Sequence, residues 1–71
     1  MSNKNSQAEK AIQHSDNATE LLLCAQDLHK AELAGEITFD KGSREALELI
    51  RAANSETDKA IQLTKDFLDG H

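Results

Sequence analysis

The chain has no proline, tryptophan or tyrosine, and only three glycines, two phenylalanines and one cysteine among 71 residues. Without proline, nothing forces a helix to break, and so few glycines leave little to interrupt one. Strands are disfavoured as well, because no stretch alternates β-branched and polar residues. The lone Cys24 has no partner for an intramolecular disulfide, which fits a reducing compartment. No apolar run is long enough to span a bilayer, and Met1 to Gln7 is polar, without the apolar core of a secretion signal. The expectation is a cytoplasmic protein with no membrane partner.

Basic residues are also in short supply. There are eight Lys and Arg against thirteen Asp and Glu, for a formal net charge of −5. That balance favours solubility and disfavours nucleic acid, whose phosphates are bound by clustered Lys and Arg. A chain this short is one domain at most, close to the lower limit for an independent core.

What the sequence does hold is a stripe of alanines. Ala11, Ala18 and Ala25 recur every seven residues, and so do Ala46, Ala53 and Ala60. Seven residues are two helical turns, so each trio lies on one helix face. The trios mirror one another about the Gly35–Glu36 step. Folding there sets Ala25 opposite Ala46, Ala18 opposite Ala53 and Ala11 opposite Ala60. The reading is an all-α fold, an antiparallel two-helix hairpin with an Ala-rich seam, as a single domain over residues 1–71.

Local signals place the ends. Ser6 and Glu9 form a capping box, so the first helix is expected over about 6–34, with residues 1–5 frayed. Gly35 takes the position after the helix end that favours a left-handed residue. Thr38 is a good N-cap, and Asp40 puts negative charge in the first turn of a second helix over about 39–68, which Gly70 ends. That start leaves Gly42 inside the helix at a cost of about 1 kcal/mol. It also sets Phe39 opposite Glu32 as an apolar lid, with Ile37 tucked under the turn. The polar stretch Ser15 to Thr19 is the weakest part of the first helix.

The inward face of the first helix reads as Ala8, Ala11, His14, Ser15, Ala18, Leu21, Leu22, Ala25 and Leu28. That of the second reads as Ala46, Leu49, Ile50, Ala53, Thr57, Ala60, Leu63, Thr64 and Phe67. Alanines pack closely but bury little area. The larger residues flank the seam. Ile12, Leu22 and Leu33 share one side with Leu47, Ile50, Ile61 and Leu68. Leu21 and Leu28 share the other with Leu49, Leu63 and Phe67. Two helices cannot cover both sides, and long apolar strips mark interfaces. A homodimer forming a four-helix bundle, or a helix of another protein docked between the two, is the expected solution. A weak echo between Glu9–Gln13 and Asp58–Gln62, in the same helical phase, reads as shared helix-forming composition.

Catalytic and metal-binding patterns are missing. His14 and His29 are 15 residues apart, not the spacing of a helical metal pair, and no Glu-x-x-His motif is present. Cys24 has no activating neighbour in the sequence and reads as a small filler. The acidic residues, among them Glu20, Asp27, Glu45, Glu48, Glu56 and Asp58, read as a solvated face. There is no phosphate-cradling loop and no nucleophile elbow. The expectation is no enzyme, no cofactor and no metal. Lys30, Lys41, Arg44 and Arg51 gather towards the turn and form the alternative reading, an anion contact for a nucleic-acid- or nucleotide-binding regulator.

In architecture alone, the hairpin is similar to the plasmid copy-control RNA-binding hairpin dimers and to the small helical co-chaperones of type III secretion. It departs from the first in lacking the basic residues of an RNA face. Neither resemblance covers a motif, so no residue roles are carried over. The function expected is a non-enzymatic interaction module (adaptor, small chaperone, or phage- or plasmid-type inhibitor) that presents an apolar-and-acidic helical surface to itself and to another protein.

Overall fold

The computed structural model of the chain describes residues 3–70, and side-chain surroundings from Ser6 onward. Two helices of 31 residues each, α1 (Asn3–Leu33) and α2 (Phe39–Asp69), pack side by side as a helical hairpin. No strand is present among the described residues.

The N-terminal expectation is corrected. Helix α1 already runs at Asn3, so Ser6 lies within it and caps nothing. Met1 and Ser2, the rest of the stretch expected to fray, lie outside the described residues. The polar Ser15–Thr19 stretch stays helical, and the Thr19 hydroxyl donates to the Ser15 carbonyl at 3.1 Å.

The turn follows the local signals. Gly35 adopts φ +77°, the left-handed conformation that costs glycine nothing. This aims the Glu36 N–H at the Ala31 carbonyl (2.9 Å) and the Gly35 N–H at the Glu32 carbonyl (3.1 Å), the paired bonds that close a helix C-terminus. Thr38 caps α2: its hydroxyl accepts from the Lys41 N–H at 3.2 Å.

Gly42 lies inside α2, fully buried, and tertiary packing supplies the reason. A Cβ there would stand 2.6 Å from Glu32 Cγ and 2.7 Å from Glu32 Cδ. The glycine makes room for the side chain of a buried glutamate on the neighbouring helix. The expected Phe39 lid is therefore wrong. Phe39 is 63% exposed, and Glu32 packs on Gly42, almost one turn further along α2.

Among the described residues, the buried apolar core consists of Ala18, Ala25, Ala46, Ala53 and Ala60 alone. Ala11, the sixth seam alanine, is half-buried near the open end, where a small apolar notch lies between Ala11, Ile12, Leu63 and Phe67. The inward faces are narrower than the sequence suggests. Ala8, Ser15, Leu22, Thr57 and Thr64 are exposed, while Leu21, Leu28, Leu49 and Leu63 are half-buried. The half-buried leucines, each three residues beyond a seam alanine, close the gap on their side. Residues four beyond, Ile50 excepted, are thereby turned out to solvent.

The result is a rod of 51 × 16 × 11 Å with a radius of gyration of 16.0 Å. A compact chain of this length would have about 11 Å. The accessible surface is 5308 Å², against about 4,400 Å² for a compact monomer of this mass. Among the described residues, no helix is long and apolar enough to cross a membrane.

Candidate interaction surfaces

The hairpin has two long flanks. The first carries the residues one and four places after each seam position. From Ile12 to Leu33 and from Leu47 to Leu68, those positions hold only Ile, Leu, Ser, Thr, Asn, Gln and His29. A chain that is 30% charged would by chance place about four charges on these fourteen positions. There are none. The sequence reading placed Ile12, Leu22, Leu33, Leu47, Ile61 and Leu68 here, and they are 46% to 81% exposed. Ile50, the seventh, is half-buried. Ser15 of α1 and Thr57, Ala60, Ile61, Thr64 and Lys65 of α2 line one shallow groove, so both helices contribute to this flank and one charged side chain, Lys65, borders it. Its hydroxyls are partly satisfied from within: Thr19 donates to the Ser15 carbonyl, and Thr64 to that of Ala60 at 2.8 Å.

The second flank has a different chemistry. The half-buried Leu28 and Leu49 form the floor of a groove of about 510 Å³, with Asp27, Glu45 and Glu48 at its rim. A second hollow continues it past Leu21, Glu20 and Glu56, and Cys24 lines both. Cys24 is thus exposed and turned away from the seam, as its position in the sequence implies. Among the described residues, no cation pairs with Glu20, Asp27, Glu45 or Glu48. With Glu56, these carboxylates number as many as the chain's entire net charge of −5. The remaining eight acidic and eight basic residues cancel. Sequence reasoning took these acids for a scattered solvated face. Sorting charges by their place in the seven-residue step would have revealed both the empty flank and the acidic one.

Two polar contacts also escaped the sequence reading. Folding about the Gly35–Glu36 step sets His14 opposite Thr57, but its Nδ1 donates a hydrogen bond to Glu56 Oε2, and Asn17 Nδ2 donates to Glu56 Oε1 at 3.3 Å. The side chains of His14 and Glu56 are about a quarter exposed. The hydrogen bond from His14 lowers the Glu56 pKa below its ordinary 4.5, helped by Asn17 and the charge of Lys59, while partial desolvation works against it. Nearer the turn, the Glu32 carboxylate is buried against Gly42. The Nδ1 of the half-exposed His29 lies 3.3 Å from both its oxygens. Only Oε2 meets it in hydrogen-bonding geometry, so Oε1 is buried without a partner.

Arg44 is engaged with Asp40 one turn earlier, at 3.2 Å, in an exposed pair. Arg51 lies two turns beyond Arg44 on the same helix face. Lys30 sits in the last turn of α1, where the helix dipole favours a cation. Lys41 offers its backbone N–H to the Thr38 cap. Among the described residues, no three or more His, Cys, Asp or Glu side chains lie together as a metal site would need. The chain matches no protein-family model, no curated protein and no solved structure.

Proposed function

We propose that this protein is a non-enzymatic protein–protein interaction module, of adaptor or small-chaperone type, that pairs with a second copy through its uncharged flank. The observation that carries this reading is that flank: its large side chains are almost all exposed, and none of its fourteen positions holds an acidic or basic residue, Lys65 only bordering it. Burying it against its own copy desolvates no carboxylate, and the bordering Lys65 can keep its ammonium in water on its long stem, so the heaviest cost of an interface is avoided. Two chains of net charge −5 can approach on this side because the carboxylates sit elsewhere.

The areas agree. The surface in excess of a compact monomer is about 900 Å², and one partner of a stable complex buries about 800 Å². Face-to-face pairing of two hairpins gives a four-helix bundle, which supplies the large-residue core that five alanines do not. An acidic chain with eight basic residues against thirteen acidic ones is a poor ligand for nucleic acid.

The test is the solution mass by light scattering over a dilution series. Twice the chain mass of 7.8 kDa is expected, with helix content lost as the dimer dissociates. A well-folded monomer at every concentration would sink the dimer.

A further inference from the structure

We propose that the acidic flank is a docking groove for a basic amphipathic helix of another protein. The inference rests on the reading of this chain as an interaction module, though not on its dimerisation. Three properties of the groove select that occupant.

The first is its floor. Leu21 and Leu28 lie seven residues apart on α1, and Leu49 of α2 faces the same hollow as Leu28; all three are half-buried. They offer an apolar strip with free area, suited to side chains spaced i, i+3 or i+4, and i+7 on an incoming helix. The second is its length. From Asn17 to Leu28 the two hollows follow about eleven residues of α1, roughly 17 Å, enough for three turns of a docked helix.

The third is its charge. Glu20, Asp27, Glu45 and Glu48 stand along both edges with no cation paired to them. A helix with Lys or Arg on either side of an apolar stripe would neutralise both edges while covering the floor. The groove lies on the opposite side of the seam from the uncharged flank, so a dimer through that flank leaves it open.

The experiment is fluorescence anisotropy on the full chain with three labelled 18-residue helical peptides. The first has a leucine stripe flanked by lysines. In the second, glutamine replaces lysine. The third is a scramble of the first. The lysine-flanked peptide is expected to bind saturably, at least about tenfold more tightly than either control, and more weakly as salt rises. Combining Glu45→Lys with Glu48→Lys should reduce its affinity at least about tenfold, with Glu45→Gln plus Glu48→Gln as the milder pair should the reversal disturb folding. Absence of saturable binding, equal binding of either control, or indifference to the glutamate changes would overturn the inference. Light scattering on the same samples judges the dimer separately, because peptide binding to one copy or to two leaves this inference standing.

Discussion

The two flanks of the hairpin are built on the same seam from the same two helices, yet they solve opposite problems. On one, leucines sit close to the seam, half-buried, and the edges carry charge that keeps the surface hydrated. On the other, isoleucines and leucines stand out from the seam on positions that hold no acidic or basic residue, with Lys65 at the border. A charged edge beside a partly covered apolar floor can remain in water until a complementary partner arrives. An uncharged and exposed strip has no such protection, and association is its ordinary fate. The contrast shows that apolar area alone does not distinguish the roles of two surfaces. The placement of ionised groups around that area does.

The comparison is broken most directly by making the flanks alike. Leu47→Asp combined with Ile61→Asp places two carboxylates on the neutral flank. In a dimer each would be buried and unpaired, costing at least about 3 kcal/mol per chain. The expected outcome is a monomeric mass by light scattering and a loss of helical circular dichroism. An unchanged dimer would show that this flank is not the interface.

A smaller effect is expected at the seam on which both flanks depend. Ala53 is 1% exposed, so Ala53→Leu must drive the helices apart. Overpacking of this kind costs about 1–3 kcal/mol, read as a lower urea midpoint. On the acidic flank, Leu28→Ala should cost about 1–2 kcal/mol, below the range for a fully buried leucine because the side chain is only half-buried. It should leave the mass unchanged. A change of mass would assign self-association to the wrong side.

The turn offers a finer test. Gly42→Ala removes a poor helix residue but forces out the Glu32 side chain. In a Glu32→Ala background that obstacle is gone, and the same change should stabilise by about 0.5–1 kcal/mol. The two substitutions should therefore be non-additive in denaturant unfolding.

The smallest effect is one of pH. Glu56 titrates lower in the folded chain than in the unfolded one. The stability it contributes is therefore present above about pH 4.5 and is lost as pH falls through the lower folded value. Glu56→Gln should flatten the dependence of the melting temperature on pH in that acid window. An identical slope in the two proteins would mean that the His14 contact does not stabilise the fold.

Much of this molecule can be read one residue at a time. Gly35 ends α1 because a left-handed residue is needed there, and Thr38 starts α2 because its hydroxyl reaches the third N–H of the helix. The alanine repeat announces the seam because a seven-residue period is a property of the single helix. The charge pattern of each flank is likewise a matter of position in that repeat, and it could be read without coordinates.

The cross-helix contacts could not. Whether Glu32 meets Phe39 or Gly42, and His14 meets Thr57 or Glu56, turns on how two rods roll and slide against one another. Such a roll changes which residues face one another across the seam, and no local propensity encodes it. That roll also decides which apolar residues are half-covered and which are exposed. The secondary structure and the composition of each flank thus belong to the chain's periodicity. The burial of Glu32, the pairing of His14 with Glu56 and the exposure of the neutral flank belong to the packing of one helix on the other, where side-chain volumes set the angle.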